Sequence, residues 1–224
     1  MSAWGPFWRD LVEQWPLILT GLGQTVLLAG IVSITGLLLS ILVFYWTLSP
    51  RGWVRRLAQA YVSFFVGMPL IVLLFLMYYG LPQWGIRVSP FAVAVFGFTL
   101  NVAAYNTSYL RSAFNGLDAA ELEAARAQGF SHRQVFRLIT LPQVMRMSVP
   151  ALTNQVILNL KDSTVAFLIQ YTEFFARVQE LASTNFQFFK AYLFAAVVYL
   201  LLVSVIVLVA RAVERRVLMP GVQR

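Results

Sequence analysis

Glu121-Leu-Glu-Ala-Ala-Arg-Ala-Gln-Gly129, followed after nine residues by Ile139-Thr-Leu-Pro142, is the water-facing stretch on which the reading turns, because long apolar runs press on it from both sides. Asp118 stands three residues before Glu121 and Ser131 three before Gln134, so two capping-box signals come in quick succession. The pattern predicts a short helix, a glycine break and a second short helix. Ala124 and Ala125 favour helix and keep one surface thin, so the backbone can sit deep in a partner groove. Gly129 permits the positive φ that turns one helix into the next. Val135 and Ile139, four apart, can anchor the second helix against the membrane domain, and Pro142 is expected to stop it. Glu123 is placed to cap, to dock or to pair with a basic partner residue.

The surroundings decide where this knuckle lives. Of 224 residues 59% are hydrophobic and only 12% charged, whereas roughly a quarter of a soluble domain is charged. The apolar residues come in uncharged runs of about the ~20 residues that span a bilayer as a helix, which excludes a barrel of short alternating strands. The expected class is an all-α, polytopic membrane protein with five transmembrane helices. The formal charge of +8 reports orientation and lipid contact on such a protein before it reports nucleic acid. The chain has no cysteine and one histidine, His132, so no disulfide, thiol nucleophile or metal site is expected. Its only lysines, Lys161 and Lys190, lie outside any glycine-rich context. A phosphate-binding loop of the Gly-x-x-x-x-Gly-Lys-Ser/Thr type is therefore missing, and the chain supplies no nucleotide site.

In order, residues 1 to 16 read as an interfacial segment or an amphipathic tail outside the membrane. Spans are expected at about 17 to 46, 58 to 79, 90 to 113, 149 to 170 and 191 to 210, with residues 17 to 215 as the membrane domain and 216 to 224 as a tail. Thr25, Ala29, Ser33, Gly36 and Ser40 form one stripe of the first span, and such small residues let a second helix approach closely. Gly67-Met-Pro69 marks a kink or break in the second. With the N-terminus outside, the loops at 51 to 57, 111 to 146 and 211 to 224 hold twelve of the seventeen Lys and Arg. The positive-inside rule then makes those loops cytoplasmic, and the knuckle of residues 118 to 142 with them.

Polar residues inside the spans suggest a pathway. Asn101, Tyr105 and Ser108 recur along one face of the third span. In the fourth, Asn154 and Lys161 are seven apart, while Gln155, Asn159 and Asp162 follow i, i+4, i+7. Facing one another, these stripes could line a cavity for a zwitterionic solute, with Lys161 or Asp162 meeting an opposite charge. The alternative is structural: Lys161 and Asp162 satisfy neighbours or backbone carbonyls at a helix break.

The knuckle also resembles a known element. Glu123-Ala-Ala125, Gly129, Ile139 and Leu141-Pro142 match the EAA loop of bacterial ABC importer permeases at every defined position. Gly21 with Thr25, Gly67-Met-Pro69-Leu70, Tyr78-Tyr79-Gly80-Leu81-Pro82, Gln143 and Lys161-Asp162-Ser163-Thr164 are similar to the polar amino acid branch, which includes histidine, glutamine, glutamate, arginine, cystine and opine permeases. Ser63, Val66, Met68, Ser108, Ser112-Ala113 and Ala120-Glu121 depart from that branch's usual residues. The resemblance implies a type I, MetI-like permease fold in the bacterial inner membrane. It assigns coupling to Glu123, Ala124, Ala125, Gly129, Ile139, Leu141 and Pro142, and extends the pathway candidates to Ser163 and Thr164. It further implies two ATPase subunits carrying ATP and Mg, a second permease chain, identical or homologous, and an extracytoplasmic solute-binding protein. The rival class is a secondary transporter driven by an ion gradient, with Lys161 and Asp162 as its relay; it predicts inverted repeats, which are not visible. No nucleophile and base stand at a recognisable spacing for an enzyme.

Overall fold

The computed structural model describes residues 4 to 217; the expected tail at 216 to 224 falls almost wholly outside them, as do the first three residues of the N-terminal segment. The described residues are almost all helical, with no strand among them. Helix α1 (Gly5–Glu13) is followed by α2 (Trp15–Thr47), α3 (Gly52–Gly67), α4 (Leu70–Phe75), α5 (Pro90–Asn115), α6 (Ala119–Ala127), α7 (His132–Val135), α8 (Leu141–Asp162), α9 (Phe174–Asn185) and α10 (Phe188–Val217). A π turn, Leu76–Gly80, and a short 3-10 turn, Leu81–Trp84, prolong α4; a second π turn, Phe136–Thr140, joins α7 to α8; a 3-10 segment, Ser163–Ile169, prolongs α8.

Two helices, Trp15–Thr47 and Phe188–Ala212, are long and apolar enough to cross a bilayer, and Gly52–Gly67 with Leu70–Trp84 makes a third if its 100° bend lies within one span. Pro69 causes that bend. The ring pushes the preceding residue out of the α region, and Met68 is accordingly extended at φ −94°, ψ 127°. What reads in sequence as a kink or break is thus a right-angled break. Helices α5 and α8 are long enough by residue count but carry polar faces, and those faces build the site.

Packing follows the small-residue stripe. Thr25, Ala29, Gly36 and Ser40 of α2 are all buried. A Cβ added at Gly36 would lie 2.7 Å from Val102 Cγ1 of α5, so the two backbones are as close as a missing side chain allows. The central core joins Leu28 and Val32 of α2 to Leu74 of α4, Phe98 and Val102 of α5 and Ile169. A second cluster gathers Phe7 and Leu11 of α1 with Ile18, Phe174, Val178, Leu181 and Ala195. Phe7 and Leu11 are fully enclosed, so α1 is docked on α2, α9 and α10 and is no loose tail.

Candidate functional site

The knuckle is a small folded unit of its own. Asp118 caps α6 by accepting from Ala120 N (2.9 Å). The reciprocal half of that expected capping box does not form, because the Glu121 carboxylate instead accepts from Gln143 Nε2 of α8 (2.8 Å). The second box is complete: Ser131 Oγ accepts from Gln134 N, and Gln134 Oε1 accepts from Ser131 N. Between them α6 ends in a Schellman turn, with Phe130 N bonded to Ala125 O, Gly129 N to Arg126 O, and Gly129 at φ 84°. The break lies at the glycine for the reason the sequence suggested.

Three expectations need correction. Ala124 is exposed but Ala125 is buried, packed with Leu122, Val135 and Phe130, so only one of the two alanines belongs to the outer surface. Val135 and Ile139 anchor the second helix chiefly on α6 and on Phe114 at the end of α5. Contact with the rest of the membrane domain runs instead through rings: Tyr45 lies 4.8 Å from Phe136 and 5.6 Å from His132, and Phe44 5.8 Å from Phe136. Pro142 does not stop the helix. It occupies the first turn of α8, and the widened turn Phe136–Thr140 directly before it accommodates the ring and the missing N–H without ending the helix. The chain therefore runs helically from His132 to Asp162. At one end of this path α6 packs alongside with Glu123 and Ala124 exposed, and Asp162 stands at the other end.

At that other end lies a cleft of about 390 Å³ between Val66–Leu70, α5 and α8. Four predicted pathway residues meet on it: Asn101, Tyr105, Gln155 and Asp162. Asn101 Nδ2 donates to Phe65 O (3.0 Å), and Tyr105 OH reaches Val66 O at 3.5 Å, so the carbonyls freed where α3 ends are held by the facing helix. Met68 and Pro69, read in sequence only as part of a kink, line the same cleft, as do Tyr109 and Leu158, which were not singled out. Tyr109 was findable, since 101, 105 and 109 follow i, i+4, i+8.

The other candidates fall elsewhere. Asn159 is buried in a relay: Tyr109 OH donates to Gln155 Oε1 (3.3 Å), Gln155 Nε2 to Asn159 Oδ1 (3.0 Å), and Asn159 Nδ2 to Ser33 Oγ (3.0 Å). Ser163 and Thr164 bond back to Leu160 O and Lys161 O at the change from α to 3-10 geometry. Ser108 bonds Ala104 O within its own helix and lines a different hollow with Thr47, Gln59 and Arg111. Asn154 and Lys161 are exposed and do not line the cleft. Lys161 and Asp162 form no ion pair with each other.

Sequence reasoning did not single out Glu173. It is fully buried and caps α9. Its carboxyl accepts from Phe175 N (2.9 Å), Ala176 N (2.8 Å), Thr25 Oγ1 (2.9 Å) and Tyr199 OH (3.3 Å). One side chain thus ties α9 to α2 and α10. Gly21 makes room for the same contact, since a Cβ there would lie 3.0 Å from Glu173 O.

Known proteins place this arrangement. Residues 36–219 match the family described as binding-protein-dependent transport system inner membrane component. The chain belongs to that family. The permease is 36% identical over 192 residues to a probable amino-acid ABC transporter permease protein of Vibrio harveyi, covering 84% of this chain and 86% of that protein. It is 32% identical over 210 residues to the L-cystine transport system permease protein of Bacillus subtilis, covering 92% and 90%. Among solved structures it matches a chain of an amino acid ABC transporter crystallised with histidines, at 27% identity, a TM-score of 0.84 and coverage of 93% and 97%. A chain of the methionine transporter MetNI in an inward-facing form shares the fold, with a TM-score of 0.77 at 18% identity. The permease is a multi-pass inner membrane protein with the expected MetI-like fold, and the gradient-driven alternative has no support.

Proposed function

We propose that the permease forms half of the translocation pathway of an importer for a polar amino acid, with the cleft at Asn101, Tyr105, Gln155 and Asp162 as part of that pathway and the knuckle as its input from a cytoplasmic ATPase. The observation that carries this reading is the physical connection between the two: α6, with its exposed Glu123–Ala124 surface, is tied to α8 directly by Glu121–Gln143 and, beyond the break at Gly129, by α7 and the turn at Phe136–Thr140, and α8 lines the cleft. The names of the similar proteins support the solute class, and a cleft of about 390 Å³ is within the range of small-molecule sites. Five crossings, with the N-terminus outside, make α5 and α8 the third and fourth spans, and the positive-inside count supports that orientation. A second permease chain completes the pore. Two ATPase subunits supply ATP hydrolysis, and an external binding protein delivers the solute. Closure of the ATPases moves the knuckle as a rigid lever.

Uptake of labelled amino acid into vesicles holding the complete transporter tests this. Glu123→Lys and Gly129→Asp are expected to abolish uptake while the chain still inserts and assembles, and Glu123→Cys should react with an impermeant thiol reagent only from the cytoplasmic face. Full transport by either of the first two, or labelling from outside, would overturn the coupling role.

A further inference from the structure

A second, chemically opposite cavity opens between α2 and α3. It measures about 430 Å³ and is lined by Leu39, Val43 and Trp46 on one side and by Trp53, Leu57 and Tyr61 on the other. Val43 and Ala58 form its buried floor, while Trp46, Trp53 and Leu57 stand exposed at its edge. At its deep end the one polar group, Tyr61 OH, is already engaged, donating to Leu100 O at 2.7 Å. The crevice therefore has nothing to offer a polar solute there. Its shallow end meets the turn between the two helices, where Arg51, Arg55 and Arg56 are all exposed. Arg55 Nη1 reaches back to Ser49 O (3.4 Å), keeping its guanidinium at the turn. Residues 14 to 117 include no acidic residue, and among the described residues no ion pair engages these arginines.

We propose that the crevice holds an acyl chain of an anionic phospholipid whose phosphate is bound by Arg51 and Arg55. Length agrees: Leu39 to Trp46 along α2 spans about 10 Å, a fraction of one leaflet. Two tryptophans at the mouth belong at headgroup depth, and arginines just beyond them attract an anionic headgroup. A second copy of the chain is the other occupant to consider. Packing this face on itself about a two-fold axis would set one arginine cluster against another, which charge complementarity opposes. The proposal needs only that the turn lie at a membrane surface, so it stands apart from the transport reading and fails separately from it.

Native mass spectrometry of the purified full chain tests it, titrated with phosphatidylglycerol or with phosphatidylcholine of the same acyl chains. Phosphatidylglycerol should be retained in preference, and Arg51→Gln with Arg55→Gln should weaken its retention roughly tenfold or more, to the level of phosphatidylcholine. Equal retention of the two lipids, or no change in the double variant, overturns the proposal. Should that variant fail to accumulate, brominated lipids decide. Brominated phosphatidylglycerol should quench the part of the tryptophan emission that Trp53→Phe removes, and equal quenching by brominated phosphatidylcholine would refute the site. Efficient disulfide formation between two copies of Leu57→Cys in native membranes would show a second chain in the crevice and refute it equally.

Discussion

Asp162 and Lys161 are neighbours in sequence with different surroundings. About 100° of helical rotation separates them, enough to put Asp162 on the cleft and leave Lys161 off it. A substrate ammonium or guanidinium group in the cleft would meet Asp162. Asp162→Asn is accordingly expected to weaken binding of a cationic amino acid about tenfold, and Lys161→Met to leave it unchanged, in variants that keep ATPase coupling. Equal affinity in both would remove Asp162 from the pathway. Glu173 is the opposite kind of carboxylate, enclosed and structural. Glu173→Ala leaves Thr25 Oγ1, Tyr199 OH and two backbone N–H groups without their acceptor, a loss of about 3 kcal/mol. Thermal unfolding in detergent should show it as a fall of several degrees, and an unchanged midpoint would mean that water replaces the carboxyl. Nothing in the residues near Glu173 announces this role. Glutamate is not a favoured N-cap, and its partners Thr25 and Tyr199 are distant in sequence.

At the scale of helices, what the pattern expressed was what periodicity and backbone chemistry can express. The stripe from Thr25 to Ser40 identified the buried face of α2, because close approach demands small residues wherever it occurs. Gly30 and Gly36 show how sharply. A Cβ at Gly30 meets nothing within 4 Å, whereas at Gly36 it would collide with the branched Val102, whose rotamer is held by its helix. Gly36→Ala should therefore destabilise the protein by about 1 to 3 kcal/mol, while Gly30→Ala should be neutral or slightly stabilising. Equal midpoints for the two variants would contradict the packing. The helix ends at Gly129 and at Met68 were legible for the same reason, since glycine and proline act on their own backbone. The fate of Pro142 was not. A proline reads locally as a stop, and whether it begins the next helix depends on a widened turn that no residue type marks. The cleft was legible only in part, because spacing names a face of a helix and leaves open which facing backbone it meets.

Taken whole, the molecule has an ordered interior flanked by surfaces that differ in kind. The cleft carries polar side chains, the crevice between α2 and α3 is apolar with a basic mouth, and the knuckle presents exposed charged side chains. Rings of Phe44, Tyr45, Phe114 and Phe136 brace the knuckle where it meets α2 and α5. Force applied at Glu123 would reach those helices as well as α8, and a rigid attachment suits a lever better than a hinge would. The attachment also has an angular phase. A π turn accommodates one more residue than the α turn it replaces, so Phe136–Thr140 carries a surplus residue within a helix that otherwise keeps its facing. Losing one residue there, for instance the exposed Leu138, should restore an ordinary turn with the knuckle and the cleft still pointing as before. Adding one alanine should swing the knuckle about 100° around the axis of α8. Uptake surviving the deletion and failing with the insertion is the expected result, and the reverse would show that the two ends are not held in phase. The joint would then tolerate being shortened but not lengthened, a one-sided allowance for insertions and deletions built into the backbone itself.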